Sequence, residues 1–313
     1  MFAFVVRRLL ATIPVMGVVA LFVFSLLYFS PGDPAAIIAG DLATVDDIQR
    51  VRIALGLDQP FHVRFGTWLW AILNGDLGTS IFSGIPVSTL IGQRLEATIS
   101  LSIVTLIFAV AVAIPLGVVS AWRAGGWIDR LVMGFAVFGF SVPVFVLGYL
   151  LIFLFALELD WLPVQGFTSI REGFWPFLRQ LILPALALGT IYIALIARMT
   201  RAAMLDVLAQ DYIRTANAKG LRTDKVLLGH ALKNAAVPIV TVIGIGVALL
   251  IGGVVVTESV FAIPGLGRMT VDAILRRDYP IIQGVILMFA FVYVLINLLV
   301  DLSYTLFDPR IRY

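Results

Sequence analysis

Six stretches of this chain contain no Asp, Glu, Lys or Arg: Leu9–Gly32, Ala97–Trp122, Leu131–Leu157, Gln180–Ala197, Asn234–Thr257 and Tyr279–Val300. A helix rises about 1.5 Å per residue and the hydrocarbon slab is about 30 Å thick, so roughly 20 apolar residues suffice to cross it. The fourth stretch is the shortest, and Arg198 at its end can snorkel to the interface. Only 13% of the residues are charged, against about 25% in soluble domains, too few to cover a water-facing surface. The chain therefore reads as an all-α integral membrane protein with six transmembrane helices. The spans are expected at 9–32, 97–122, 131–157, 180–199, 236–257 and 279–300. Long apolar windows exclude the short alternating segments of an outer-membrane barrel.

The first window follows Arg7 and Arg8 and ends in Ser30-Pro-Gly-Asp-Pro34. It exceeds the roughly 7–15 residues of a signal-peptide core and lacks a small-residue cleavage pattern, so a retained helix is expected. Orientation follows from the basic residues. With the N-terminus inside, thirteen fall on the inner pieces: Arg7, Arg8, Arg123, Arg130, Arg198, Arg201, Arg214, Lys219, Arg222, Lys225, Lys233, Arg310 and Arg312. Nine fall outside: Arg50, Arg52, Arg64, Arg94, Arg171, Arg179, Arg268, Arg276 and Arg277. This bias puts both termini in the cytoplasm.

An outer region, 33–96, separates the first two spans. Val45–Leu55 reads as a short helix capped by Thr44 and stopped at Gly56. The run Phe65–Gly75, with Trp68 and Trp70, is too short to cross and reads as interfacial. Pro14, Pro115, Pro143 and Pro184 fall inside spans. Each removes a backbone hydrogen bond, so kinks and a curved bundle are expected.

All three lysines lie in one loop, 204–235. Met204, Leu205, Leu208, Tyr212, Ile213 and Ala216 recur at helical spacing, Gly220 supplies a helix stop, and Thr223 can cap a second helix. Helix, glycine elbow, helix is the expected shape. A lipid-headgroup surface and a protein-docking element are both compatible with it. Nucleic acid is excluded as a partner by the tethering of both ends to the bilayer.

The segment Asp211–Ala235 closely resembles the coupling loop of ABC-transporter permeases of the dipeptide/oligopeptide import family. The resemblance extends through Ser30-Pro-Gly-Asp-Pro-Ala35, Leu55-Gly-Leu-Asp-Gln-Pro60 and Gly75-Asp-Leu-Gly-Thr-Ser80. It resumes at Glu258-Ser-Val-Phe-Ala-Ile-Pro-Gly-Leu-Gly267 and closes with Asp301-Leu-Ser-Tyr304 and Asp308-Pro-Arg-Ile-Arg-Tyr313. Arg214, Thr215 and Ala216 stand where the general importer pattern has Glu-Ala-Ala, and Pro238 lies further on than in that pattern. Both departures resemble the peptide-importer subfamily.

This resemblance implies a type I ABC importer permease fold in the bacterial inner membrane and half of a pore for dipeptides or oligopeptides. The implied partners are a second homologous permease, two cytoplasmic ATPase subunits that bind the ATP and Mg, a periplasmic or lipid-anchored peptide-binding protein, and membrane lipid. The implied ATPase-coupling residues are Asp211, Tyr212, Arg214, Thr215, Ala216, Lys219, Gly220, Leu221, His230 and Asn234. Ala216 and Gly220 would give close backbone approach to the ATPase. The same machinery serving nickel chelates, glutathione or another small solute stays open. So does a stand-alone proton-coupled carrier, although such machines usually keep ionisable groups at membrane depth and the six windows hold none.

The chain contains no Gly-x-x-x-x-Gly-Lys-Ser/Thr phosphate loop, no His-Glu-x-x-His zinc motif and no cysteine. No cofactor, metal site or catalytic residue is expected. His62 and His230 lie outside the spans, so neither can pair with Ser141 in an intramembrane protease.

Glu258 closes the fifth span at a helix C-terminus, where the macrodipole disfavours a negative charge. Two readings stay open, a salt bridge to Arg268, Arg276 or Arg277 and contact with the ammonium end of a peptide. The periplasmic loop 258–278 begins with a compact turn holding Phe261, Pro264, Gly265 and Gly267. In related importers such a turn reaches toward the binding protein.

Overall fold

The computed structural model describes residues 2–29, 33–39, 43–54 and 56–307. The described residues are mostly helical, with no strand among them. Residues 30–32 and 308–313 lie outside the described residues. The chain divides into two compact units, Met1–Gln93 with Thr270–Val294 and Arg94–Met269 with Leu295–Tyr313.

Helices α1 (Phe2–Phe29), α2 (Pro34–Ala39), α3 (Val45–Ala54) and α4 (Phe61–Leu73) belong to the first unit. Thr44 caps α3 reciprocally: its hydroxyl accepts from the Asp47 amide at 3.3 Å, while Asp47 Oδ2 accepts from the Thr44 amide at 3.0 Å. The Thr44 contacts hold the Asp47 carboxyl below its ordinary pKa. Gly56, past the end of α3, takes a left-handed φ of +63°, as a helix stop requires. On α4, Phe61, Phe65 and Trp68 close around Phe24 of α1 at 5.4, 5.5 and 5.1 Å between ring centroids. Trp70 remains 70% exposed, which suits a helix lying at a membrane surface.

Helix α5 runs Val87–Trp122, so the helix itself begins before residue 97, where the second span is expected. Just before it, Ser80 Oγ donates to Asp278 Oδ2 at 2.6 Å and accepts from the Ser83 amide. The Gly75–Ser80 motif is therefore a structural tie between two distant chain segments.

The span expected at 131–157 is not one rod. Helix α6 (Trp127–Ser141) and α7 (Val144–Leu151, continuing as a π-helix over Ile152–Glu158) meet at a bend of 104°. Val142, forced out of the helical region by the following proline, is extended at φ −91° and ψ 121°. Pro115 and Pro184 are instead contained within continuous helices, as is Pro14.

Helix α8 runs Phe174–Leu208, beyond both ends of the expected 180–199 span. Buried residues occupy 67% of its apolar window, against 33% for the helix Ala236–Val260, so α8 is the central rod of the second unit. Leu181, Leu188, Tyr192 and Ile196 pack there with Leu101 and Ala109 of α5 and with Ile152. After α8 come α9 (Asp211–Ala218), a π-helix over Lys225–Ala231, α10 (Leu232–Asn234), α11 (Ala236–Val260), α12 (Leu266–Arg276) and α13 (Tyr279–Phe307). Helix α12 was not foreseen in the 258–278 loop. Among the described residues four helices are long and apolar enough to cross a membrane, or five if the bent pair counts as one span.

Candidate functional site: an exposed elbow and a glutamate-capped loop

The chain leaves α8 at Ala209, turns through an extended Gln210 (ψ 148°), and starts α9 at Asp211. The apolar stripe expected from Met204 through Ala216 is thus interrupted by a corner. Its two halves still meet. Ile213 and Ala216 pack with Ala203 and Met204 of α8, with Val118 and Ala121 of α5, and with Val226, Leu227 and Ala231 of the returning segment.

Gly220 has a φ of +76°. The Leu221 amide donates to Ala216 O at 3.3 Å and the Gly220 amide to Asn217 O at 2.9 Å. These two bonds form the glycine-centred helix end that the sequence suggests. The return begins with a helical turn at Thr223, which accordingly does not stand outside the helix as a cap, and widens into the π-helix. Asp211, Tyr212, Arg214, Thr215, Lys219, Gly220, His230 and Asn234 are exposed on this elbow, and Leu221 is half-buried.

Ala216 corrects the expectation placed on it. It is 8% exposed and faces its own core, so it cannot supply close approach to another protein. Asp211 pairs with Arg214 and Arg222 with Asp224, each at 3.2 Å. Exposed pairs contribute about 0–1 kcal/mol, so the apolar cluster and not the charges holds the elbow in place. Thr215 and Asn234 spend their side chains on the carbonyls of Asp211 and His230.

Sequence reasoning overlooked Leu228, which is 60% exposed beside the charges, as Tyr212 is at 44%. The signal was present. Three consecutive apolar residues, Val226, Leu227 and Leu228, cannot all lie on one helix face.

Glu258 is fully buried, at 0% exposure. Its carboxylate accepts from Thr98 Oγ1 at 2.5 Å, from the Arg268 amide at 2.9 Å and from the Gly267 amide, with Coulombic attraction from Arg94. Thr98 Oγ1 in turn accepts from the Leu266 amide at 2.8 Å. The first amides of α12 are therefore capped by Thr98 of α5 and by Glu258 from the last turn of α11.

An anion that the C-terminus of α11 disfavours is held by the N-terminus of α12. The expected arginine side-chain bridge gives way to this amide cap, and burial keeps Glu258 from any ligand in this conformation. A Cβ on Gly265 would lie 2.1 Å from Glu258 Oε1, and one on Gly267 would lie 2.6 Å from Val255 Cα. Phe261 is buried too, which leaves Pro264 as the exposed member of the five residues expected to face partners.

Two family descriptions cover nearly the whole chain. The binding-protein-dependent transport system inner membrane component matches residues 113–313, and its N-terminal counterpart matches residues 1–102. A probable peptide ABC transporter permease protein of Sinorhizobium fredii is 56% identical over 99% of both chains. The dipeptide transport system permease protein of Alkalihalophilus pseudofirmus is 43% identical over 100% of both. The glutathione transport system permease protein of Salmonella typhimurium is 44% identical, again over 100% of both. Among solved structures, the MetNI methionine ABC transporter in an inward-facing conformation aligns with a TM-score of 0.60 at 18% identity, over 71% of this chain and 97% of that chain. That likeness concerns the fold alone.

Proposed function

This chain belongs to the family of binding-protein-dependent transport system inner membrane components, and we propose that it forms half of an ATP-driven import pore for dipeptides or oligopeptides. A homologous permease would complete the pore. Two cytoplasmic ATPase subunits would bind the ATP and Mg, and an external binding protein would deliver the substrate. Family membership sets aside the stand-alone proton-coupled carrier.

The observation that carries the reading is the elbow. It is mounted on α8, the most buried rod of its unit, and presents Tyr212 and Leu228 among Arg214, Lys219, Arg222 and Lys225. Exposed apolar anchors ringed by charge are what a docking surface needs. An elbow held by an ATPase groove would transmit ATP-driven closure as rigid-body movement of the helices behind it.

Six crossings by α1, α5, the bent α6–α7 pair, α8, α11 and α13 would put the elbow in the cytoplasm and Pro264 outside, a reading supported by the basic-residue bias. The chain has no cysteine, so single replacements report cleanly. Pro264→Cys should react with a membrane-impermeant maleimide in intact spheroplasts, and Lys219→Cys only after permeabilisation. The reverse pattern would overturn the orientation.

Function is tested by reconstituting this permease with its paired permease, ATPases and binding protein in liposomes. Radiolabelled peptide uptake that requires both ATP and binding protein is expected; uptake independent of either would defeat the reading. Glutathione, a tripeptide, is the second substrate class, favoured by the Salmonella relative. Competition between glutathione and unlabelled dipeptide in the same vesicles separates the two.

A further inference from the structure

The geometry points to Asp129 as a positioning residue that clamps α6 and the α5–α6 turn to α8, so that movement of the elbow is carried into three helices as one body. This rests on the elbow being the ATPase contact. Asp129 lies in the first turn of α6 and is 4% exposed. Its Oδ1 accepts from Arg201 Nε and Ser120 Oγ, both at 2.5 Å. Its Oδ2 accepts from Arg201 Nη2 at 2.8 Å and from the Gly125 amide at 2.9 Å. One carboxylate thereby gathers the end of α5, the following turn and α8, with each oxygen taking two donors.

Arg201 lies two turns before the end of α8, just behind the elbow. The helix backbones around it are in close contact. A Cβ on Gly117 of α5 would lie 2.5 Å from Thr200 Cβ and 2.7 Å from Ala197 O, and one on Gly139 of α6 would lie 3.2 Å from Ala194 Cβ.

An ion pair between a buried Asp129 and a half-buried Arg201 is a poor device for stability alone, because apolar packing of the same volume often serves as well. What it adds is registry. Apolar helix faces can slide past one another in a membrane, where no hydrophobic driving force holds them. A planar guanidinium forked onto a carboxylate has one geometry, and sliding would strand both charges. The clamp also fixes the side of the junction nearest the elbow, where a lever must be stiff.

The test uses the reconstituted complex. Asp129→Asn is expected to assemble with its ATPases but to lose at least tenfold in peptide imported per ATP hydrolysed, since a loosened lever wastes strokes. The double variant Asp129→Arg, Arg201→Asp should recover part of that ratio. A merely structural role would lower the amount of complex and leave the ratio unchanged, and that result overturns the proposal.

If Asp129→Asn does not assemble, Gly139→Cys with Ala194→Cys in this cysteine-free chain decides. A joint that never opens predicts uptake within twofold of the reduced form after oxidation to the disulfide. Uptake that stops on oxidation and returns on reduction overturns it. Wild-type uptake in parallel vesicles tests the functional reading by itself, so a defect confined to the variants speaks to the joint alone.

Discussion

Gly267→Ala is expected to destabilise the protein by about 3 kcal/mol, the upper part of the range for forced overpacking. The added Cβ would sit 2.6 Å from Val255 Cα and 3.0 Å from Glu258 Oε2. A main-chain atom within α11 cannot move aside as a side-chain tip can. Retreat of α12 would instead pull the Arg268 and Gly267 amides off the Glu258 carboxylate, leaving a buried charge short of donors. The loss should appear as a lower Tm in detergent and less protein in the membrane.

Gly252→Ala supplies the control. It lies on α11, the helix that a Cβ on Gly267 would strike, and a Cβ there meets no atom within 4 Å. Equal behaviour of the two variants would show that the Glu258 cap does not determine how α11 and the start of α12 pack. Gly265→Ala should fall between them: its clash is with the carboxylate itself, which can shift by giving up hydrogen bonds.

Gly220→Pro should leave a protein that inserts and survives purification but no longer carries its ATPases, with coupled uptake reduced at least tenfold. Proline fixes φ near −65° and has no amide. The elbow needs a φ of +76° at this position and a Gly220 amide bonded to Asn217 O. Nothing lies within 4 Å of a Cβ built there, so the damage is to backbone direction and not to packing. Gly220→Ala therefore isolates the left-handed strain, about 1–2 kcal/mol, and should retain most of the activity. Copurification of the ATPases with each variant is the measurement. Full uptake by Gly220→Pro would remove the elbow from the mechanism.

Several elements were legible because their causes are local. Thr44 and Asp47 stand three residues apart, and the cap they make needs nothing else. Gly220 announces its own turn, since a left-handed residue is cheapest as glycine. Ala216 misled because its spacing fits the apolar stripe while its small size also suits close approach to a partner; only its neighbours Val118 and Met204 show which applies. Proline was ambiguous for a similar reason. Pro115 and Pro184 lie inside helices that continue past them, whereas Pro143 bends its span by 104°. The residue alone does not tell these outcomes apart.

What the sequence determined by itself is the class of fold and the place of the elbow. A charge-free run long enough to cross hydrocarbon must bond its own backbone, and a helix is the way a single segment can do so. The tertiary structure alone decided the roles of the charged residues. Thr98 meets Glu258 across 160 positions and Arg201 meets Asp129 across 72. A buried charge takes whichever donors the packing of distant helices brings within about 3 Å, and no local pattern records that choice.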